Sequence, residues 1–472
     1  MPFPTFEFFA FFTVVLILNW SLKRWPLAWR LFLLLASYFF YSVWDTRFLI
    51  IIFVISLFNF LTGQAICRNF LNRRLILALA VGMNILALGY FKYYDFFRVS
   101  AESLLLSVKI PATFPLLEII LPIGLSFYIF RVISYNIDVF RGKYPATRSL
   151  LDFSIYVAFF PQLLSGPIAR VNDFLPQLIH GGARKIENAY ESFTLIFLGL
   201  FKKLVLSSYL AANITDDVFA VPENHTSLVI LLAVFAYSLV IYFDFSGYSD
   251  LAIGFAGLMG FKSPTNFDRP YLSLNIQDFW RRWHITLSGW IRDYVYIPLG
   301  GNQKGVIRKY FNLMVIMLII GLWHGAAGHF VVWGGINGVA LVVNHISRDR
   351  KKNNPAPRTE KKLLKIFWWF ITFSFVSFSW IFFRSDGMAG AFNLIKNLLI
   401  CPKNYEQIKL LTLVVLVAGF FVFLFEKQIS KALTVFQQKI SLTLWLAFVL
   451  AVVLLLFKLS PDILPPFIYF SF

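Results

Sequence analysis

Apolar runs long enough to cross a bilayer recur along this chain, and short polar segments punctuate them. A crossing needs roughly 20 helical residues, and that criterion predicts about twelve of them. They fall near residues 4–20, 28–44, 48–66, 75–91, 117–136, 190–212, 226–244, 310–324, 328–346, 363–383, 406–425 and 441–457. Two apolar stretches do not read as crossings. LDFSIYVAFFPQLLSGPIARVNDFLPQLIHGGAR (151–184) is broken by Pro161, Pro167, Pro176 and a glycine pair, which predicts a re-entrant or cavity-lining piece. Irregular backbone at membrane depth is tolerated only where protein or water satisfies its polar groups. NIQDFWRRWHITLSGWIRDYVYIPLGG (275–301) mixes Trp with Arg at short spacing, which predicts an interfacial or half-inserted helix. Lys202 and Lys203 interrupt the run at 190–212 and mark a bend or a cavity face. There is no internal repeat and no separate soluble domain, so residues 1–472 read as one membrane domain. RDRKKNNPAPRTEKK (348–362), charged and rich in Pro and Asn, is its one convincing linker.

Composition sharpens the class. The chain has 472 residues, 58% hydrophobic and 14% charged, where a soluble domain carries about 25% charged residues. An all-α polytopic membrane protein is expected. The net charge of +19 does not indicate nucleic acid, because the basic residues lie between apolar spans rather than on a domain of their own. They follow the positive-inside pattern: Lys23, Arg24 and Arg30 after the first span, Arg68, Arg73 and Arg74 after the third, Arg131, Arg141, Lys143 and Arg148 closing the fifth, the 348–362 run after the ninth, and Lys427, Lys431 and Lys439 after the eleventh. The register makes 348–362 cytoplasmic, places both termini outside and makes 461–472 an extracytoplasmic tail. Residues 1–20 lack a basic n-region and a small-residue cleavage site, and read as a retained first span. Cys67 and Cys401 are too few for a disulfide framework or a thiolate metal site.

The chemistry concentrates in residues 243–345, where Asp244, Asp250, Arg281, Arg282, His284, Arg292, Asp293, His324 and His329 sit in membrane-grade sequence among Gly, Trp and Tyr. Ionisable groups there are expensive, face a bundle interior or wet cavity, and mark functional paths. His324, in GLWHGAAGH, reads either as a core histidine bonded to a neighbouring helix or as a proton-transfer group; the nearby glycines leave room for a ligand and favour the second. His284, in WRRWHITLSGW, is either an interfacial histidine packed among Trp and Arg or a second functional group. Arg281 and Arg282 meet an anionic substrate or lipid headgroups. Asp244 and Asp250 are expected to pair with arginine in the core rather than act as acid and base. His324 and His329 lack the HExxH arrangement and a carboxylate at ligand spacing, so no metal site is expected. With no G-x-S-x-G elbow, P-loop or dinucleotide fingerprint, hydrolase and nucleotide chemistry have no support.

FPQLLSGPI (160–168), FDFSGYSDLAIG (243–254), NFDRPYLSLNIQDFWRRWHITLSGWIRDYVYIPLGG (266–301) and GLWHGAAGHFVVWGGINGV (321–339), in that order, resemble the membrane-bound O-acyltransferase family. The likeness is strongest to its bacterial branch, which O-acetylates alginate and peptidoglycan and D-alanylates teichoic acids. It runs from about residue 120 to 345 in motif detail. The resemblance implies re-entrant and interfacial helices around a central funnel, with His324 the principal catalytic histidine and His284 the second polar position. It also implies transfer of an acyl group, acetyl above all, from a cytoplasmic thioester (acetyl-CoA or an acyl carrier protein) to an extracytoplasmic polysaccharide. No bound cofactor is implied. The expected partners are that thioester, the bilayer and a periplasmic or extracellular transferase; the expected location is the bacterial inner membrane. The ending PPFIYFSF (465–472) resembles the branch's aromatic tail motif, so Tyr469 is implied as a transient acyl acceptor, against its reading as an aromatic-belt residue. Trp323, Arg281, Arg282, Asp250 and Asn337 complete the expected substrate-binding set. D-alanyl transfer to teichoic acid remains an alternative, as do a transporter and a scaffold for polysaccharide export.

Overall fold

The computed structural model describes residues 1–68, 72–111, 113–117, 119–164, 166–179, 184–353, 362–400, 408–441, 444, 451 and 468. Among them the chain is helical and contains no strand. Nine of the expected crossings are helices long and apolar enough to span a membrane: Phe6–Arg24, Arg47–Arg68, Arg73–Ser107, Ala189–Ala220, Ser227–Leu258, Val306–His324, Gly328–Asp349, Lys362–Arg384 and Leu410–Gln438. The run expected at 28–44 is a 17-residue helix, and the one expected at 441–457 lies outside the described residues apart from Ser441, Leu444 and Ala451.

The described chain divides into two compact units, residues 1–192 with 251–264 and residues 193–250 with 265–472, where hydropathy alone reads as one membrane domain. The first unit holds α1 (Phe6–Ser21), α2 (Pro26–Ser42), α3 (Arg47–Arg68), α4 (Arg73–Leu88), α5 (Tyr94–Ser107), α6 (Leu125–Phe140), α7 (Leu150–Ala158), α8 (Phe160–Leu163) and α9 (Val171–Ile179). Local signals start several of them: the Thr5, Asn72 and Ser149 side chains accept from the N–H groups of Phe8, Arg74 and Asp152, and Pro26 opens α2. On α3, Ile52, Ile55, Ser56, Asn59 and Gly63 are buried while Ile50, Phe53, Val54 and Leu61 are exposed. An apolar exposed face is what a lipid-facing helix needs. Inside, Asn59, Asn84 and Asn136 tie α3, α4 and α6 together through amide hydrogen bonds of 2.7 to 3.1 Å, the interhelical polar glue expected where hydrophobicity cannot hold helices together.

The run expected to cross at 117–136 starts as a helix only at Leu125. Gly124 stands at φ +76°, where a Cβ would lie 2.6 Å from the Leu163 carbonyl oxygen. The helix that follows is buried along nearly all its length, Arg131 included. That guanidinium, 1% exposed, donates to the carbonyls of Tyr156 and Gln162 at 3.1 and 2.7 Å. These carbonyls belong to the 151–184 stretch, whose described residues form the three short helices α7, α8 and α9 and no crossing.

The second unit takes α10 (Ala189–Leu200) from residue 193, then α11 (Ser208–Leu210), α12 (Asp216–Ala220), α13 (Ser227–Leu258) to residue 250, α14 (Ile276–Arg282), α15 (Ile285–Ile291), α16 (Val306–His324), α17 (Gly328–Asn353), α18 (Lys362–Arg384), α19 (Gly387–Ile400) and α20 (Leu410–Gln438). Lys202 and Lys203 fall in a π-helical turn, Phe201–Ser207, as the bend reading anticipates. α17 continues through Asn353, so the first six residues of the expected linker are helical and residues 354–361 lie outside the description.

Candidate active site

His324 is the last residue of α16. The helix stops there because Gly325 turns into an extended conformation (φ −165°) that leaves the helical path. α16 packs against α17 closely enough that side chains are excluded at the crossing. A Cβ at Gly321 would lie 2.3 Å from the Phe330 carbonyl oxygen, one at Gly334 2.4 Å from that of Met317, and one at Gly325 2.1 Å from the Phe330 ring. Small residues that let backbones approach are the usual device for joining helices in lipid. The His324 ring is 4% exposed and walled by aromatics: Trp333 at 5.1 Å and Phe383 at 4.9 Å, both edge to face, and Trp323 at 4.8 Å.

His284 is held by another device. The 275–301 segment is two short helices, α14 and α15, joined at Trp283–His284. Asn275 caps the first, its side-chain oxygen accepting from the Asp278 N–H at 2.9 Å. His284 caps the second in the left-handed region, φ 42° and ψ 56°, a costly conformation for a non-glycine residue that clusters at functional sites. Its neighbours over-determine it. The Ile285 N–H donates to the Asn266 carbonyl at 2.8 Å, and the Asn266 side-chain oxygen stands 2.9 Å from His284 Nδ1 while accepting from the Thr286 hydroxyl at 2.8 Å. The Asn266 amide nitrogen donates to Ser249 at 3.1 Å. An amide oxygen only accepts, so Nδ1 carries the proton and Nε2 keeps the lone pair. Burial at 2% exposure pushes this imidazole down from 6.5 to about 3, so it is neutral across the physiological range. Phe245 stands edge-on at 4.7 Å, and Trp323 lies 6.2 Å away on the side of His324. One tryptophan thus stands against both histidines, in a wall continued by Trp280, Trp283, Trp333 and Trp380.

The other expected site residues are dispersed. Arg281 is exposed at the end of α14, and Arg282 turns back to Asp278 at 3.0 Å. Asp250 pairs with Lys202 at 2.6 Å; Lys202, 1% exposed, also meets Glu426, whose other oxygen accepts from Tyr242 at 2.6 Å. Asp244 pairs with Lys203. The expected arginine partners of both aspartates are therefore lysines, brought in by the π turn of another helix. Asn337 is buried with one N–H of its amide donating to the Trp333 carbonyl at 3.0 Å. His329 Nδ1 lies 2.8 Å from the Phe382 carbonyl oxygen, a structural role. Tyr469 lies outside the described residues. Sequence reasoning missed Asn266, which fixes the His284 tautomer, and Trp333, whose indole N–H is buried with no acceptor among the described residues. Both lie inside motifs already singled out, but neither is ionisable, so charge gives no signal. Among the described residues no three His, Cys, Asp or Glu side chains stand together as a metal site.

A family model for membrane-bound O-acyltransferases matches residues 140–384. The chain is 40% identical to the probable alginate O-acetylase AlgI of Pseudomonas aeruginosa over 77% of its own length and 68% of that protein. It is 34% identical to the peptidoglycan O-acetyltransferase of Helicobacter pylori, covering 79% and 74%. It is 30% identical to the teichoic acid D-alanyltransferase of Streptococcus thermophilus, covering 55% and 68%.

Proposed function

The chain belongs to the membrane-bound O-acyltransferase family, and we propose that it carries an acetyl group from a cytoplasmic thioester to an extracytoplasmic polysaccharide such as alginate. It is a multi-pass membrane acyltransferase; the bacterial inner membrane and outward-facing termini are part of the proposal. The observation that carries the reading is the pair of buried histidines that both stand against Trp323 in an aromatic wall. Likeness to O-acetylases is higher and covers more of this chain than likeness to D-alanyltransferases, which favours acetyl over D-alanyl.

In the proposed reaction the Tyr469 hydroxyl attacks the thioester carbonyl while a ring nitrogen of His324 takes its proton. The carbon–sulfur bond breaks, the thiolate recovers the proton from the imidazolium, and acetyl-Tyr469 is left for a partner transferase to unload. Free proton transfer from tyrosine near 10 to histidine near 6.5 would cost about 5 kcal/mol, so proton loss and attack are concerted. The oxyanion needs a donor, and the Trp333 N–H against His324 is the candidate. His284 serves as a neutral second base. Acetyl-CoA is the proposed donor, with an acyl carrier protein the alternative; Arg281 and Arg282 stand at its entrance.

The test offers labelled acetyl-CoA to the purified protein and reads peptide masses for wild type, His324→Ala and Tyr469→Phe. Label on the C-terminal peptide that both substitutions abolish supports the relay. A wild type that stays unlabelled with acetyl-CoA and with acyl-carrier thioesters refutes it.

A further inference from the structure

The Asp244 carboxylate divides its two oxygens. Oδ1 meets the Lys203 ammonium, and Oδ2 accepts from the backbone N–H of Ile468 at 2.8 Å. Both ionic side chains are buried, at 3% and 2% exposure. Asp244 lies about 26 Å from the start of α13 at a rise of 1.5 Å per residue, near the middle of a helix that runs from Ser227 to Leu258. The backbone at Ile468 therefore does not stay at headgroup level as an aromatic belt would; it reaches the core of the second unit. A peptide N–H in such surroundings requires an acceptor. Here it finds a charge-assisted one, already neutralised by Lys203 and so affordable away from water. The bonded residue immediately precedes Tyr469 in sequence, and Asp244 immediately precedes Phe245, whose ring stands against His284.

We propose that the Lys203–Asp244 pair is an internal seat for the C-terminal segment, with Asp244 the positioning residue that delivers that segment to the two histidines. The delivery rests on the acyl-tyrosine reading above; the seat does not. A positioning carboxylate explains why a buried ion pair stands here at all. Lys203 with Asp244 alone would be replaceable by two apolar residues, and often to a protein's benefit.

The double substitution Lys203→Met with Asp244→Leu removes the seat without stranding a charge; Lys203→Gln with Asp244→Val, which likewise strands no charge and leaves no acceptor at 244, serves if the first fails to purify. Hydrogen–deuterium exchange of the 465–472 peptide is read in the full-length protein alongside acetyl label on that peptide. The seat predicts exchange about tenfold faster or more, as expected on losing a charge-assisted hydrogen bond. It also predicts a fall in label, with both restored by Asp244→Glu in the Lys203 chain. Unchanged exchange overturns the seat, and faster exchange with full label overturns the positioning role. If wild type takes no label from any thioester, the tyrosine reading has failed, and the exchange measurement alone decides the seat.

Discussion

Replacing Gly321 with alanine tests whether the seam between α16 and α17 sets the position of His324, the proposed general base. Alanine is the better helix former by about 1 kcal/mol, so propensity alone favours the substitution. Packing opposes it. The new Cβ would stand 2.3 Å from the Phe330 carbonyl oxygen and 3.2 Å from Gly334 Cα, where ordinary contact begins near 3.4 Å. Neither neighbour is a flexible side chain, so the helices must part by about 1 Å, and overpacking of this kind costs about 1–3 kcal/mol. His324 is one turn further along the same helix and moves with it. A displacement of about 1 Å at a reacting group costs on the order of 100-fold in rate. Gly335→Ala is the internal control: it lies on the same helix as Gly334, but its Cβ would meet nothing closer than a Leu318 methyl at 3.9 Å. Acetyl transfer from acetyl-CoA and thermal unfolding in detergent are measured for both. Gly321→Ala is expected to lose about two orders of magnitude in transfer and some stability, while Gly335→Ala keeps both. A Gly321→Ala enzyme within twofold of wild type at an unchanged melting temperature refutes the reasoning, as does a Gly335→Ala enzyme equally damaged.

Trp333→Phe keeps the ring against His324 and deletes the indole N–H; transfer is expected to fall about 100-fold with unfolding unchanged, and a rate within threefold of wild type eliminates the N–H as oxyanion donor. Lys202→Met leaves the partly exposed Asp250 and Glu426 side by side without a cation and should cost up to about 3 kcal/mol, read as lost yield or melting temperature; adding Asp250→Asn and Glu426→Gln should recover most of it. His284 makes stability pH-dependent. Burial lowers its folded value from 6.5 to about 3, so the unfolded chain binds the proton first, and stability fully present above pH 6.5 is lost as pH falls towards 3. Between pH 6.5 and 4.5 that loss is about 2–3 kcal/mol, and His284→Gln should flatten this limb of the melting curve; an unaltered limb assigns it elsewhere.

Much of this architecture is legible in the chain because lipid leaves few options. A run of apolar residues must be helical to satisfy its own backbone, and breaks at Pro161, Pro167 and Pro176 must lie against protein. The site histidines stand out for the same reason, as expensive groups in the wrong solvent. What pattern does not reveal is pairing across distance. Asp250 finds Lys202 48 positions earlier and Lys202 finds Glu426 224 positions later, and only a π turn aims two consecutive lysines at separate carboxylates. Nor does hydropathy separate an apolar run that crosses from one that turns: at 117–136 the glycine at 124, wedged under Leu163, delays the helix to Leu125.

The two histidines are held by unlike means to a common end. His324 is set by a seam of glycines, a constraint on where the helix lies; His284 is set by a strained backbone and an amide, a constraint on which nitrogen holds the proton. Both rings are kept from water by tryptophan and phenylalanine. In the transfer proposed above the leaving thiolate needs the proton that the attacking hydroxyl gives up, so a base that passes it on returns to its starting state within the turnover. Nearby, Lys203 holds the buried Asp244, and Lys202 is shared by Asp250 and Glu426, each partly exposed, so these carboxylates answer to lysines.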